Sequence, residues 1–424
     1  MNFIFVSPNF PATYYLWTEA LKKRGVRVLG IGDTPYHELT PSLLRSLDEY
    51  YFLPNLGSKP DMTAAVAYYE KKYGKIDYIE SNNEWWLEMD AYLRETFHVD
   101  TGFHPSDMLH IKAKSEMKAY FQKGGAKTMR YLLVHGEEDK AAALEFIAQV
   151  GYPVFVKPNI GVGALSSYAL HNEEELDSFL SKPLPETFIM EEFVDGKTVS
   201  FDGVCDGNGE VVFWSTEHFP IPSATVVNEK IDEYFWSNPA SLPCVDVLDI
   251  GEFERIGRGV VKSFGIKKRF FHIEFFILNQ DKEGLAKKGE IVAIECNMRA
   301  PGGYIPDVIN FANSSSCYDI WADVIVYGEN RQDLSLPKYY CFSCARRDEY
   351  LASYVHSEAD VLSRYGEKIK MHGRYPKHIA DDMGDIYFFG VFPSMEEGKE
   401  FVHYIRDKGE AFAAKDQEIE SLIP

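Results

Sequence analysis

Cysteine is scarce in this sequence, with six among 424 residues. A chain of this length with so few, dispersed cysteines is typical of a reducing compartment rather than of a disulfide-linked scaffold. Cys341 and Cys344 form one CxxC pair, but no second pair accompanies them to complete a four-ligand zinc site. We therefore expect neither a zinc centre nor a redox centre at these two residues.

Long hydrophobic runs are also absent. The apolar run at the N-terminus covers only Phe3 to Val6, and it has neither the length nor the basic flank of a secretory signal. No segment approaches the ~20 apolar residues that a membrane helix requires. These absences predict a cytoplasmic protein that does not contact a membrane.

Basic residues are in the minority. The sequence has 44 Lys and Arg against 65 Asp and Glu, which gives a formal net charge of -21. Binding to a nucleic acid depends on clustered basic side chains that displace counterions from the phosphates. The composition therefore argues against a nucleic-acid partner and leaves small molecules as the expected substrates.

The turn after the first predicted strand, SPNFPATYY, contains no glycine. A dinucleotide-binding βαβ unit needs glycines at this turn so that the backbone can approach the pyrophosphate. We therefore do not expect a dinucleotide site, although the first hundred residues alternate predicted strands and helices in a βαβ rhythm.

The chain is long enough for two or three domains, and its 45% hydrophobic residues can fill their cores. We predict an α/β domain with a parallel sheet over 1–103, a second domain over 104–333 and a compact α+β domain over 334–424. The second domain begins with one predicted helix, SDMLHIKAKSEMKAYFQKGG, with Ser106 as its N-cap and Gly124 and Gly125 as its stop.

Two predicted strands carry the most informative polar residues. FFHIEFFIL and EIVAIECNM pair as a hairpin across the polar connection from Asn279 to Gly289. Side chains alternate along a strand, so Glu295, Asn297 and Arg299 share one face, while Glu274 lies on the partner strand. Each of these residues alone is best explained by an ordinary ion pair. Together, two carboxylates and an amide oxygen suit Mg²⁺, and the arginine would clamp a phosphate or a developing oxyanion.

Two further segments suit a nucleotide. VFVKPNIGVGALSS places Lys157 at the end of an apolar strand, before a glycine-containing loop that lacks the GK[ST] of a Walker A motif. FIMEEFVDG ends a strand at Glu191 to Val194, whose backbone would face an adenine ring. The alternative for each segment is structural: a common Lys-Pro strand junction, and a strand end with a solvated acidic pair.

Taken in chain order, these segments resemble the ATP-grasp superfamily from about Lys112 to Ile309. The most specific part of the resemblance is the E…ExNxR pattern, here Glu274 with ECNMR from Glu295 to Arg299. The resemblance implies an ATP-grasp fold that combines α/β and α+β parts. These are an N-terminal Rossmann-like (pre-ATP-grasp) domain, a mobile lid over about 128–195 and a C-terminal α+β domain.

The resemblance also implies ATP as the nucleotide and Mg²⁺ as the metal, with Mn²⁺ as an alternative. The implied metal ligands are Glu274, Glu295 and Asn297. The implied catalytic residues are Lys157 and Arg299. The implied nucleotide-binding residues are Lys114, with Lys112 as an alternative, Lys157, Glu191, Glu192, Phe193 and Val194.

Two positions depart from the family pattern. Thr198 stands where many members hold the ribose with a glutamate, so either Asp195 substitutes for it or the ribose is held more loosely. Ala113 stands where many members have an acidic residue before the first lysine.

The chemistry implied is activation of a carboxylate by ATP as an acyl-phosphate, which an amine then attacks with release of ADP and phosphate. RAPGGYIPD resembles the stretch after the arginine in carboxylate–amine ligases, and neither a Glu-His pair at that place nor a biotin-attachment signal is present. We predict a ligase that joins an amino acid to an amine or a second amino acid. The alternatives are a bicarbonate-activating enzyme of the carboxylase or carbamoyl-phosphate synthetase type, and a nucleotide-binding protein without turnover. Members of this branch are often homodimers.

The segment Ser215 to Lys230 is predicted to be a loop that lines the acyl-substrate pocket. In it, Glu217 would meet an ammonium group and His218 would act as a base or a polar contact, unless both only satisfy loop backbone. Gly302 and Gly303 would let the backbone come close to the reacting acyl group.

Overall fold

The computed structural model describes residues 1–161, 167–221, 223–243 and 249–409. Its strands, numbered along the chain, are β1 (Asn2–Val6), β2 (Arg27–Gly32), β3 (Glu49–Phe52), β4 (Tyr78–Glu80), β5 (Lys127–Thr128), β6 (Tyr131–Val134), β7 (Val154–Pro158), β8 (Tyr168–Leu170), β9 (Phe188–Glu192), β10 (Gly196–Cys205), β11 (Val211–Phe219), β12 (Tyr234–Pro239), β13 (Arg269–Leu278), β14 (Ile291–Asn297), β15 (Tyr340–Arg346), β16 (Ile369–Arg374) and β17 (Ile386–Phe392).

The α-helices are numbered in the same way. They are α1 (Tyr15–Lys23), α2 (Pro41–Ser46), α3 (Lys59–Tyr73), α4 (Leu87–Thr96), α5 (Met108–Lys112), α6 (Lys114–Lys123), α7 (Lys140–Val150), α8 (Glu173–Leu180), α9 (Ser223–Glu229), α10 (Ile250–Ser263), α11 (Ile305–Asn313), α12 (Cys317–Tyr327), α13 (Glu358–Tyr365), α14 (Lys377–Met383) and α15 (Met395–Arg406). Among the described residues, none of these helices has the length and apolar composition needed to cross a bilayer.

The first sheet is parallel, with the strand order β3-β2-β1-β4. Alternate side chains of β1 enter two different cores. Phe3 and Phe5 pack in the core that contains Trp17 of α1, whereas Ile4 packs in the core that contains Met62 of α3. A parallel strand with both faces covered reads as a continuous apolar run, as NFIFV does. The βαβ prediction for the first hundred residues is confirmed.

The central sheet has nine strands in the order β16-β17-β15-β12-β11-β10-β13-β14-β5. The predicted hairpin forms its β13–β14 pair, which is antiparallel. The strands after residue 333 do not form a sheet of their own, because β15 pairs with β12 and extends the central sheet. The domain boundary at 333 therefore stays a prediction.

A small antiparallel sheet, β6-β9-β7-β8, forms the third layer and packs against α7 and α8. It lies within the predicted lid range of about 128–195. Phe193, Val194 and Asp195 alone connect β9 of this small sheet to β10 of the central sheet. The segment predicted to face an adenine ring, Glu191 to Val194, therefore lies where the chain passes from one sheet to the other.

The two faces of the central sheet differ in polarity where β10 and β13 meet. On one face, Phe201 and Ile273 pack under α6 and α10 in an apolar core. On the other face the cross-strand neighbours are polar: Ser200 lies opposite Glu274, and Asp202 lies opposite His272. The polar face therefore carries the predicted metal ligand.

The single helix predicted from Ser106 is wrong. The chain instead forms a 3-10 turn and the short helix α5, then extends at Ala113 and restarts as α6. The restart is held from outside: Lys114 N–H donates to Asn159 O at 2.9 Å, and Ser115 N–H donates to Asn159 Oδ1 at 2.9 Å. Asn159 follows β7, so this interruption depends on a tertiary contact that helix propensity does not encode. The predicted stop is confirmed, since α6 ends at Lys123.

The loop predicted from Ser215 to Lys230 is also wrong. β11 continues to Phe219, because β10 and β12 hydrogen bond to its two edges, and α9 follows.

Candidate functional site

The β13–β14 hairpin brings the predicted metal ligands onto adjacent strands. Glu274 lies directly opposite Glu295, and His272 lies directly opposite Asn297. Directly opposed residues in an antiparallel pair point to the same face, with their Cβ atoms about 5 Å apart. The register shifts after Glu274, where the strands have a β-bulge. Two carboxylates and one amide therefore share one face, as the alternation predicted.

The environment of Glu274 keeps it ionised. Burial by itself would raise its pKa, but the hydrogen bond from His272 and the charges of His272, Arg299 and Lys157 hold the pKa below its usual value. His272 Nε2 lies 2.9 Å from Glu274 Oε1. An ionised carboxylate at this place is a competent oxygen ligand for a hard cation.

Lys114 faces this pair of strands from the start of α6. Its Nζ lies 3.3 Å from Glu295 Oε1 and 3.2 Å from Gly161 O. The interruption of the helix at Ala113 makes Lys114 the first residue of α6. Lys112, the alternative lysine, instead contacts Glu88, with its Nζ 3.0 Å from Glu88 Oε1.

Glu191 joins two lysines. Lys157 Nζ lies 2.9 Å from Glu191 Oε2, and Lys118 of α6 contacts Glu191 Oε1. Burial opposes ionisation of Glu191, but the charges of the two lysines lower its pKa to about 2. Sequence reasoning missed Lys118. The available signal was its position four residues after Lys114, on the same face of α6.

The remaining predicted nucleotide-binding residues lie at the junction of the two sheets. The Glu192 carboxylate turns away from Lys157 and accepts from Arg130 N–H at 2.7 Å, from Arg130 Nη2 at 2.6 Å and from Arg130 Nε at 3.0 Å. Val194 is buried in a small core, whereas Phe193 is 38% exposed.

The two departures from the family pattern also have positions in the structure. Thr198 lies on β10, opposite Phe276. The Asp195 carboxylate accepts from Asn279 Nδ2 at 2.7 Å and from Gln280 Nε2 at 3.2 Å.

Arg299 is held at the end of the polar row by three acceptors. Its Nε donates to Glu84 Oε2 at 3.1 Å, its Nη1 to Ala300 O at 2.9 Å and its Nη2 to Asn297 Oδ1 at 3.4 Å. Burial raises the pKa of Glu84, and the Arg299 charge opposes that rise. Glu84 follows β4 in the first sheet, so the N-terminal region supplies a side chain to the site. Sequence reasoning missed this contact.

Glu217 lies two strands from Glu274 on the same face, because Ser200 lies opposite both of them. It is completely buried, and among the described residues it has no cationic partner; the Ser237 hydroxyl, directly opposite on β12, is the polar group beside it. Burial, and then the neighbouring Asp202 charge, raise its pKa well above the usual value. His218 points to the opposite face of β11, where it stacks on Trp236. The structure therefore brings Glu217, and not His218, onto the face of the predicted metal ligands.

Gly302 and Gly303 follow the arginine in the turn before α11. Gly302 is exposed, and a Cβ added there would meet no atom within 4 Å. Gly303 has a φ of 59°, a left-handed conformation that glycine adopts without strain.

The residues present fit a magnesium nucleotide. The donor set is two carboxylates and an amide oxygen, with the buried Lys114 and Lys157 facing it to neutralise phosphate charge. Within the described part of the chain, no group of three or more His, Cys, Asp or Glu side chains is arranged to hold a metal ion by itself. Two protein carboxylates with an amide suit Mg²⁺, since it takes the rest of its shell from waters and phosphates.

Three comparisons place the chain among known proteins. Residues 113–222 match the family model of the carbamoyl-phosphate synthase L chain, ATP binding domain. An L-arginine-specific L-amino acid ligase of Bacillus subtilis is 24% identical over 265 residues, which is 60% of this chain and 59% of that protein. The chain thus matches less than two thirds of that relative.

Solved structures of low identity share the fold over nearly the whole chain. An L-amino acid ligase from Bacillus licheniformis superposes with a TM-score of 0.68 at 15% identity, covering 96% of this chain and 97% of that one. The biotin carboxylase domain of Hydrogenobacter thermophilus 2-oxoglutarate carboxylase, a complex with MgADP and bicarbonate, gives 0.64 at 15% identity, covering 94% and 88%. The chain therefore has the fold of these proteins, and residues 113–222 match an ATP-binding domain, in agreement with the ATP-grasp resemblance of the sequence.

Proposed function

We propose that this protein is an ATP- and Mg²⁺-dependent carboxylate–amine ligase. The observation that carries the proposal is the polar face of the hairpin. Glu274 and Glu295 lie opposite each other there, Arg299 ends the row, and the ammonium groups of Lys114 and Lys157 lie close to the acidic side chains. Acidic ligands facing fixed cations are the arrangement that phosphoryl transfer requires, because most of its catalysis is positioning and charge neutralisation.

Each side chain then has a defined task. Mg²⁺ held by Glu274, Glu295 and Asn297 would neutralise charge on the nucleotide phosphates. Lys157 would exchange its contact with Glu191 for phosphate oxygens, and Arg299 would stabilise the negative charge that develops on the substrate carboxylate oxygen. The carboxylate attacks the γ-phosphorus and ADP leaves; the amine then attacks the acyl carbon, and phosphate leaves. No protein nucleophile is needed.

An amino acid is the proposed carboxylate substrate. The amino acid ligase relatives support this choice, and so does the buried Glu217 carboxylate, which lies on the face of the proposed metal ligands and has no cationic partner among the described residues. A substrate ammonium group would give this carboxylate the charge partner that burial demands. His218 remains a second prediction for this region, although its ring lies on the other face of β11.

Bicarbonate activation is the second candidate. The match to a carbamoyl-phosphate synthase ATP-binding domain and the likeness to a biotin carboxylase domain favour it. Release of ADP that bicarbonate stimulates in the absence of any amino acid would support this candidate and argue against the first.

The test is release of ADP and phosphate from MgATP across a panel of amino-acid pairs, with bicarbonate as a separate arm. We expect release that depends on the pair in the wild type and is lost in Lys157→Ala. Lys71→Ala, at an exposed position on α3, is the matched control and should behave as wild type. Absence of stimulation by any carboxylate in the panel would refute the proposal. Sedimentation of the same preparation tests the predicted homodimer.

A further inference from the structure

A chain of buried polar contacts lies behind the proposed metal ligand Glu274. Asp202 on β10 is directly opposite His272 on β13, and Asp202 Oδ1 lies 2.5 Å from His272 Nδ1. The other ring nitrogen, Nε2, lies 2.9 Å from Glu274 Oε1. Ser200 donates its hydroxyl proton to the second oxygen of Asp202, Oδ2. Four side chains are therefore connected along one face of two neighbouring strands.

Burial makes this arrangement costly unless it is held in one geometry. Asp202 and Ser200 are fully buried, and His272 is 6% exposed. A buried carboxylate and imidazole are tolerated only when hydrogen bonds satisfy them, so each member restricts the rotamer of the next. Nothing in apolar packing requires a polar row here, because the apolar core lies on the opposite face of the same strands.

The contacts also divide the two oxygens of Glu274. His272 occupies Oε1, and no hydrogen bond from another described residue reaches Oε2, so Oε2 is the oxygen that can meet an ion. A ligand carboxylate held by a buried donor enters the metal site already oriented, and such supporting contacts commonly contribute 10–100-fold to metal affinity.

We propose that Asp202 and His272 are positioning residues that fix the rotamer of Glu274 for the divalent cation. Asp202 orients the imidazole, the imidazole orients the carboxylate, and neither residue touches the nucleotide. The proposal rests on the proposed function, because it presupposes that Glu274 is a metal ligand.

The test measures Mn²⁺ binding by electron paramagnetic resonance with ADP present, and ADP binding by calorimetry with the metal chelated. We expect His272→Gln to weaken Mn²⁺ binding about 10–100-fold, the effect typical of lost supporting contacts. ADP binding without metal should change less than about twofold, because lysines rather than Glu274 hold the phosphates. A merely structural role would lower both affinities together, with a lower Tm.

Two further variants complete the design. Asp202→Asn keeps the shape of the side chain and should give a smaller loss of Mn²⁺ affinity in the same direction, which covers a failure of His272→Gln to fold. His372→Gln is the matched control, because His372 contacts Glu358 at 2.7 Å in the same sheet but on the distant strand β16. It should bind Mn²⁺ as wild type does.

Glu274→Gln separates the two levels of inference. If Glu274→Gln leaves Mn²⁺ affinity unchanged, the metal site itself is misplaced and the proposed function fails with it. If Glu274→Gln weakens Mn²⁺ binding but folded His272→Gln and Asp202→Asn do not, only the positioning role is overturned.

Discussion

Replacement of Arg299 by alanine should remove catalysis while leaving nucleotide binding intact. The guanidinium is held by Glu84, Ala300 O and Asn297, so its position is set before any substrate arrives. Loss of one preorganised donor to a developing oxyanion costs about 10²–10³ in kcat, or roughly 3–4 kcal/mol. We expect a loss of this size in Arg299→Ala, with the Kd for MgADP changing less than about threefold.

Arg299→Ala also leaves the Glu84 carboxylate without its cationic partner. The resulting loss of stability must be separated from the loss of catalysis. With Nε of Arg299 and Oε2 of Glu84 3.1 Å apart, the gross attraction is about 5 kcal/mol at an effective dielectric of 20. Breaking a buried pair typically costs about 3–5 kcal/mol. The Arg299 side chain is 16% exposed, and Glu84 already has a raised pKa and can take up a proton, so we expect about 3 kcal/mol.

A double substitution distinguishes the two losses. Arg299→Ala with Glu84→Gln removes the stranded charge and should recover most of the stability measured by urea unfolding. It should not recover kcat, followed as ADP release with the best substrate pair. Recovery of kcat in the double variant would refute the reasoning. It would mean that the single variant lost activity because the Glu84 carboxylate was left unpaired, and not because the Arg299 cation was missing.

Three further predictions concern buried charges and packing. Glu191→Gln should lower stability at pH 7 by about 3 kcal/mol, since the Glu191 pKa falls from 4.5 to about 2 in the folded protein. That contribution is complete above pH 4.5 and is lost as the pH falls towards 2, so the difference in urea midpoint between variant and wild type should shrink by about half at pH 3 and continue to shrink towards pH 2; a constant difference would contradict it. Burial, and then the charge of Glu80, raise the pKa of Asp90 from 3.8 to about 7. Protonated Asp90 therefore contributes to the stability of the fold fully below pH 3.8, and this contribution is lost as the pH rises through 7. Asp90→Asn should therefore gain Tm relative to wild type between pH 5 and pH 9, and parallel Tm curves would exclude this account. A Cβ on Gly398 would lie 1.9 Å from the Phe342 ring, so Gly398→Ala should cost about 1–3 kcal/mol while ADP affinity stays unchanged; a Tm equal to that of wild type would show that α15 can move away.

The parts of the site that could be predicted from the sequence are those written in local patterns. Alternation along EIVAIECNM places Glu295 and Asn297 on one face, and pairing with FFHIEFFIL brings Glu274 opposite Glu295. The apolar run NFIFV predicts a strand covered on both faces. The Gly-Gly pair ends α6. Strand periodicity and helix stops depend on neighbouring residues, so the sequence contains them directly.

Other features depend on partners that are distant in the chain. The helix that carries Lys114 restarts because Asn159, more than forty residues later, accepts from its first N–H groups. Lys118 pairs with Glu191 across two layers of the fold. The strands after residue 333 read as a separate α+β domain, yet they extend the central sheet through β12. Local propensity cannot distinguish a strand that joins a neighbouring sheet from one that starts its own.

The sequence by itself determined which residues have the chemistry of a nucleotide site and on which strands they lie. Only the tertiary structure decided how they are supported: Glu84 from the N-terminal sheet against Arg299, Asp202 and His272 behind Glu274, and Glu217 buried on the same face. Side-chain alternation is a property of one strand and its neighbour, whereas these contacts join strands and layers whose approach is set by the packing of whole sheets.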